Sequence, residues 1–465
     1  MKNHSSIVIP YSTYHKQTRR MKIKLKKGLD LKIAGGVSDT AVRDVDVKLF
    51  AITPDDFPGF KPKVDVKDGD TVLAGAPIMH DKNHEDVKLV APVAGTVKAV
   101  VRGERRKVMR IIIEKSDDQS FRQFDLPAKM TEADAMRLLS VSGLLAEMRQ
   151  RPYDIVPNPD IAPRDIFVTA IDSAPLAISP EFAVADKTAQ LEAGVRLLKT
   201  VCKGKIYISV RPGSKLPAIS GSERVEVSGP HPAGNAGVQA ANIAPVNKGE
   251  TIWTLDIITL CRIGQLVTSG HPDFSTLVAV TGPEVETPCI ARTFEGAEVK
   301  PLLDTAKIKN SGHNIRIISG NVLTGVATAP DGFIHFPYRQ LTVIAEGDDK
   351  AEFMGWASFS PSKASVSPTF PGHFSNKPFT PDARLNGGRR AMIMSGEYDR
   401  VMPMDILPEY LLKAIIGRNI DSMEKLGIYE IAPEDFGAAE YVDTSKLPLQ
   451  QIVREGLDYM REALE

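Results

Sequence analysis

The succession of strand, helix and strand between residues 166 and 210 restricts this chain more than any other feature. Ile166–Ile171 (IFVTAI) and Ile206–Val210 (IYISV) are short apolar runs of strand length. The stretch between them, from about Pro180 to Lys203, repeats apolar residues at helical spacing, with Val184, Leu191, Val195 and Leu198 on one face. Two strands joined through a helix lie parallel, and a parallel sheet is covered by helices, so the centre of the chain is α/β in class. Arg224–Val227 adds a further strand. The loop leaving the first strand, Asp172-Ser173-Ala174-Pro175, has no glycine, which argues against pyrophosphate binding where such folds place it.

The next corner, Ser228 to Asn247 (SGPHPAGNAGVQAANIAPVN), allows two readings. As a phosphate cradle it would need closely spaced glycines after a strand, then a helix whose first N–H groups face the anion. Gly229, Gly234 and Gly237 do follow a strand, but the fingerprint spacing is absent, and Pro230, Pro232 and Pro245 remove donors. We read it as a structural corner. The large chain is then left without a recognisable cofactor grip.

With 465 residues there is length for three or four domains. The 58 basic and 58 acidic residues cancel, so no overall field attracts nucleic acid or an anionic lipid surface, and such a contact would have to be local. One basic stretch stands out: residues 1–27 hold eight Lys or Arg and no acid. Residues 1–20 are otherwise unpatterned and are expected to be a disordered leader, with Met21 as the natural start. No apolar run reaches the eighteen or so residues of a membrane span, and no secretory signal opens the chain. Cys202, Cys261 and Cys289 lie too far apart in sequence for a disulfide framework or a metal set, and Cys261 reads as a core thiol. A reducing cytosol is the simplest setting.

Around the centre, the flanks change character. MKIKLKKGLDL reads as a strand, and from Val64 to Glu114 short strands alternate with turns. Gly69-Asp70, Gly75 and Ala91-Pro92…Gly95 fall in the order of the barrel-sandwich of lipoyl and biotinyl carriers, which this region resembles. Asp81-Lys82 echoes the modified pair of those carriers, but the hairpin is long for it, and Lys82 reads as a plain surface lysine. His80 and His84 have helical spacing in a hairpin, which does not converge on one ion; a solvated loop is expected there. Thr131 to Gln150 reads as a capped helix, and Glu250 or Thr251 as the start of another, with Trp253, Ile257, Leu260 and Ile263 inward. From Leu277 the pattern resembles a small β-grasp of the soluble ligand-binding type, with further strands over 333–359. Beyond Met402 the chain turns helical, with Ile406–Ile416 and Leu447–Leu464 amphipathic.

Several stretches together, KGLDLKIAG, SGPHPAGN, WTLDIITLCRIGQL, RIISGNVLTG and the block from Leu385 to Gly427, resemble the NqrA subunits of the sodium-translocating NADH:quinone oxidoreductases. Gly387-Gly388-Arg389-Arg390 followed by Tyr398-Asp399-Arg400-Val401-Met402-Pro403 is the most specific part. The resemblance runs from about Met21 to the C-terminus. It implies a peripheral subunit on the cytoplasmic face of a bacterial inner membrane, with five partner subunits, some of them membrane-embedded, and no nucleic acid. It also implies that FMN, riboflavin, FAD and iron–sulfur centres sit on those partners, that this chain binds no redox cofactor or metal, and that quinone is its ligand. The overall plan is also similar to the NADH-oxidising subunit of respiratory complex I and its counterpart in the Rnf complex, but their flavin loop and four-cysteine cluster have no counterpart here. Two departures from the family itself stand out: Gly437 to Lys446 reads GAAEYVDTSK without cysteine, and Gly237 to Val246 reads GVQAANIAPV without a His-x-His.

The expected organisation is a leader (1–20), a first strand plus barrel-sandwich (21–115), a Rossmann-like α/β domain (116–255), a β-grasp (256–345) and a C-terminal region ending in a helical domain (346–465). No catalytic residue is expected on the isolated chain. The quinone-pocket neighbourhood is expected where His231, Pro232, Gly234 and Asn235 face Arg389 and Arg400, since pockets form at domain junctions. The competing reading is a soluble flavin- or NADH-dependent oxidoreductase built on the βαβ unit, which flavin absorbance of the purified chain would reveal.

Overall fold

The computed structural model describes residues 21–37, 42–348 and 363–464. The expected leader (1–20) and part of the predicted strands over 333–359 therefore lie outside the described residues. At the centre stands a six-stranded sheet in the order Met21–Lys24, Glu223–Ser228, Ile206–Val210, Ile166–Thr169, Ile252–Asp256, Arg149–Arg151. All neighbours are parallel except the last pair. Its two faces belong to different cores. Ile166, Val168, Ile206, Ile208 and Val210 pack with the helices Thr188–Val201 and Ile257–Ser269, whereas Phe167, Tyr207, Val225 and Ile252 pack toward the helix Ala236–Ile243 and the C-terminal helices. Burial on both faces is why these strands are apolar throughout and lack alternation.

The chain differs from its sequence reading in several places here. Ile252–Asp256 is a strand beside Ile166–Thr169, and the helix begins only at Ile257, where the Asp256 carboxylate accepts the Thr259 N–H at 2.7 Å. Trp253, Ile257, Leu260 and Ile263 are all buried as expected, but by two successive elements. The helix predicted over 131–150 spans only Glu132–Val141, closed at its start by a Thr131–Asp134 capping box. It stops before Gly143, whose φ of +83° and contact with Val90 suit a turn, and Leu145 and Met148 are buried from that turn. The predicted helix over 180–203 is two helices, Glu181–Val184 and Thr188–Val201.

Two smaller sheets, Leu49–Ile52 with Val108–Lys115, Gly95–Arg102 and Thr71–Val72, and Pro62–Val64 with Pro77–Asp81 and Lys88–Val90, form the barrel-sandwich. The loop after Pro77–Asp81 is solvated as expected, with Lys82, Asn83, Glu85 and Asp86 exposed and His84 half-buried, but its strand end is not. Asp81 is buried and accepts N–H groups from Asn83 at 2.6 Å and Lys61 at 2.8 Å, and buried His80 meets Asp65 at 2.6 Å. The strand Met21–Lys24 does not join this unit; it pairs with Glu223–Ser228 at the edge of the central sheet, with Leu25 in that sheet's second core.

The second six-stranded sheet runs Val326–Thr328, Ile315–Ser319, Gln340–Ala345, Ser275–Thr281, Cys289–Phe294, Val42–Asp44. Its two central strands, Gln340–Ala345 and Ser275–Thr281, are parallel, and the helix Val299–Ala306 connects its halves, as in a β-grasp. The helix Ile257–Ser269 packs so closely on Thr188–Val201 that a Cβ on Gly264 would lie 1.7 Å from the Gln190 carbonyl. We therefore propose that the α/β unit extends past residue 255, to the end of this helix. From Glu397 onward the chain is helical, ending in Leu449–Leu464.

Candidate functional site

In the central sheet the chain order of the four core strands places Ile166–Thr169 beside Ile252–Asp256, while the strands after the first step away on its other side. Chain connections leave in opposite directions at this point, and open α/β sheets leave a crevice there, beyond the carboxyl ends of the strands. A cavity of about 240 Å3 lies in that crevice. Three regions wall it: the α/β unit through Thr169, Asp172, His231, Gly234, Asn235 and Asp256, the β-grasp through Asn321, Tyr338 and Arg339, and the helical region through Glu434.

Hydrogen bonds hold the corner from His231 to Asn235 against the first strand. Ser173 Oγ accepts the Gly234 N–H at 2.8 Å and lies 3.1 Å from His231 Nδ1. Where the Ser173 hydroxyl, which already accepts one N–H, donates onward to Nδ1, the neutral ring carries its proton on Nε2. That atom is buried and has no hydrogen-bond partner among the described residues. Burial drives the His231 imidazole down to about 4, with Asp30 pulling it upward and Arg211 pushing it further down. The His231 N–H donates to Asp30 at 2.9 Å, and its carbonyl accepts the Leu29 N–H at 2.7 Å. Gly234 is needed at its position because a Cβ would stand 2.6 Å from the Ser173 nitrogen. Gln239 Nε2 donates to Thr169 Oγ1 at 2.9 Å and to the Ala233 carbonyl at 3.0 Å, which fixes the following helix to the strand end.

Charge on the opposite wall is mostly paired. Arg339 is ion-paired with Asp256; burial pushes that carboxyl upward, but Arg339 and the Thr259 N–H hold it below the usual carboxylate range. Tyr338 donates to the Thr324 carbonyl, and burial pushes its phenol up to about 12. Asp172 is exposed at the rim, yet crowding by the walls pushes its carboxyl up to about 6, a shift that solvent there trims. Burial also raises Glu147, which Arg262 meets at 3.0 Å, and Glu434. Four carboxyl groups, Glu147, Asp172, Asp256 and Glu434, thus face two guanidinium groups, Arg149 and Arg339, around a neutral imidazole. Glu147, Asp256 and Glu434 have guanidinium partners in Arg262, Arg339 and Arg151, so the lining carries no cationic surplus for a phosphate or pyrophosphate, and an uncharged ligand with hydrogen-bonding oxygens needs none.

The structure brings His231, Gly234 and Asn235 together at the cavity and buries Pro232 behind them. It does not bring Arg389 or Arg400 there. Both are exposed; the Arg400 guanidinium lies 3.2 Å from Glu397, and only its carbonyl approaches the corner, accepting the Gly28 N–H at 3.0 Å. The helical region reaches the cavity instead through Glu434, and Asn235 Nδ2 donates to buried Asp435 at 3.1 Å. Asp172, Glu147, Tyr338, Arg339 and Glu434 were not foreseen as site residues. Only Asp172 carried a signal, its place directly after the first strand of a βαβ unit. Cys202, Cys261 and Cys289 are buried and free, and among the described residues no three His, Cys, Asp or Glu side chains converge as metal ligands. Lys82 is exposed, as expected of a surface lysine.

Three stretches of the chain match models of known protein families. Residues 23–116 match the NqrA N-terminal barrel-sandwich hybrid domain, residues 130–272 the NqrA second alpha/beta domain, and residues 277–329 the NQRA C-terminal domain. Among solved structures, an NAD+-reducing [NiFe]-hydrogenase in its H2-reduced state aligns over 71% of this chain and 62% of its own, with 11% identity and a TM-score of 0.38. The NqrA subunit of the Na(+)-translocating NADH-quinone reductase of Pasteurella multocida is 34% identical over 444 residues, covering 94% of this chain and 98% of that protein. Its counterpart in Actinobacillus succinogenes is 36% identical over 442 residues, with the same two coverages. No helix among the described residues is long and apolar enough to cross a membrane. With that identity sustained over nearly its whole length, the chain belongs to the NqrA family, the NqrA subunits of Na(+)-translocating NADH-quinone reductases.

Proposed function

We propose that this chain acts in a bacterial Na+-translocating NADH:quinone reductase as its peripheral subunit, within a complex that couples electron transfer from NADH to quinone with Na+ export. In this reading it docks with five partner subunits at the cytoplasmic face of the inner membrane. FMN, riboflavin, FAD and iron–sulfur centres sit on those partners, and this chain supports quinone binding and assembly without a redox cofactor of its own.

The observation that carries the quinone assignment is the chemistry of the crevice. Its lining includes His231, whose buried Nε2 has no hydrogen-bond partner among the described residues, and its carboxyl groups are matched by guanidinium groups without a cationic surplus. A quinone headgroup is uncharged and offers carbonyl acceptors, so it suits a neutral donor and needs no cationic surplus, whereas the phosphates of a nucleotide would. His231, Gly234 and Asn235 form the inner wall in this reading, and Arg389 and Arg400 stay outside it.

The test separates the chain from the complex. The purified chain should neither oxidise NADH nor reduce quinone, whereas the complex lacking it should lose quinone reduction. Steady-state turnover of the isolated chain with NADH, or stoichiometric flavin absorbance, would instead support the oxidoreductase reading.

A further inference from the structure

One surface remains unused by the crevice. Between residues 363 and 396 the only helical element is the single turn Pro371–Phe374, and its apolar side chains face outward: Phe374 is 71% exposed, Leu385 57% and Ile393 56%. Cations are interleaved with them. The segment carries five Lys or Arg against one acid, in a chain whose total charge is zero, so the excess is local. Lys377, Arg389 and Arg390 are exposed, while Arg384 and Asp382 pair at 2.7 Å.

The two ends of the segment lie along one flank of the helical region, while its middle meets the β-grasp strand at Ala345–Asp382. Tyr441, in the helix Gly437–Val442, lines a groove of about 590 Å3 together with Val366, Asn376 and Phe379, and the Arg390 N–H donates to the Ser445 carbonyl just beyond that helix at 2.9 Å. Lys32 reaches the same groove and bonds Asn376 at 3.1 Å, and Lys377 lines it as well. The one acid in the groove, Asp30, has an oxygen engaged by the His231 N–H.

We propose that this face docks on an anionic phospholipid bilayer, with Phe374, Leu385 and Ile393 entering the interface and Lys32, Lys377, Arg389 and Arg390 meeting lipid phosphates. Single apolar side chains set between cations on irregular backbone suit a lipid interface, where each can insert on its own. A partner peptide would need a continuous apolar groove or an open strand edge; the groove beside Tyr441 interrupts its apolar lining with Lys32, Asn376 and Lys377, and the described segment makes only the isolated bridges Ile33–Phe379 and Ala345–Asp382. The proposal rests on the peripheral-subunit reading only in assuming a membrane nearby, and its test uses the isolated full chain, so either idea can fail without the other.

The experiment is co-flotation with vesicles of phosphatidylcholine alone or with about one third phosphatidylglycerol, over a salt series. Binding is expected with the anionic vesicles only and should fall steeply with salt. Combining Lys377→Glu, Arg389→Glu and Arg390→Glu should weaken it at least about tenfold, since each cation near the surface contributes. Phe374→Ser should weaken it severalfold while leaving the salt dependence in place, and melting curves check that both variants fold. Equal binding to neutral vesicles or none to anionic ones overturns the proposal, as does the triple variant binding like wild type. Absence of vesicle binding with an otherwise assembling complex would overturn it too.

Discussion

Two buried arginines close the domain junctions around the crevice, and their surroundings differ. Arg262, 3% exposed, is held within the α/β unit by Glu147 at 3.0 Å and joins it to the β-grasp through a shorter pair with Glu295 and the Ser275 carbonyl at 3.3 Å. Arg151, 1% exposed, joins the α/β unit to the helical region with longer reaches: the Glu430 carbonyl at 3.2 Å, Asp435 at 3.4 Å and Glu434 at 3.7 Å. Burying a guanidinium is costly in both places, and the return depends steeply on distance and on the exclusion of water. Glu295 is mostly covered and Asp435 fully so, whereas the Glu434 side chain, the third partner on the helical side, is 51% exposed. The β-grasp side is therefore the fixed wall of the crevice and the helical side the yielding one. Asn235, which bonds Asp435, lies on the yielding side.

The largest expected effect follows from the fixed wall. Arg262→Met leaves buried Glu147 without its cation and half-buried Glu295 with only the longer 3.8 Å reach to Arg339, and should cost about 4 kcal/mol, measured by urea unfolding. Replacing Glu147 and Glu295 by apolar residues as well should recover much of that loss, because the desolvation cost disappears with the charges.

Next comes His231, on the corner that both junctions flank. Its folded-state value is lowered from 6.5 to about 4. At pH above 6.5 both folded and unfolded forms are neutral and stability is full. As pH falls toward 4, the unfolded chain gains a proton that the folded chain refuses, so stability drops by about 3 kcal/mol and then levels off. In His231→Gln this contribution should vanish, seen as the difference between wild-type and variant urea midpoints across that window. An unchanged difference would show that the ring is charged or exposed in solution.

Arg151→Met should cost about 2 kcal/mol, less than the change at Arg262, because water can reach Glu434 and buried Asp435 keeps the Asn235 and Ala432 N–H donors. A loss as large as that of Arg262→Met would erase the distinction between the two junctions. The smallest effect belongs to Arg400→Ala, which removes one exposed pair with Glu397 and should stay within about 0.5 kcal/mol of wild type.

Much of the fold could be read from local pattern, and the exceptions share a cause. Val184, Leu191, Val195 and Leu198 announced the crossover between two strands because one helical face was buried and the other was not. Ile252–Asp256 is buried on both faces, so it showed no alternation, and Trp253, Ile257, Leu260 and Ile263 happened to match helical spacing across a strand and the next helix. Leu145 and Met148 extended the apparent helix after Thr131 because a turn can bury side chains as well as a helix can. The crevice was half legible. His231, Gly234 and Asn235 stood out as an unusual corner after a strand, but Tyr338, Arg339 and Glu434 arrive from regions about one to two hundred residues later, each in a stretch with no local signature. Arg389 and Arg400 were conspicuous as sequence, and the structure turns their side chains to solvent.

Whether the crevice holds quinone is decided by photolabelling the whole complex with a quinone analogue, followed by peptide mapping. Labels are expected on the segments around Asp172 and His231–Asn235, reduced by competing quinone. Labels confined to the partner subunits, with electron input from NADH intact when this chain is absent, would contradict the quinone assignment and reduce the chain to a structural clamp.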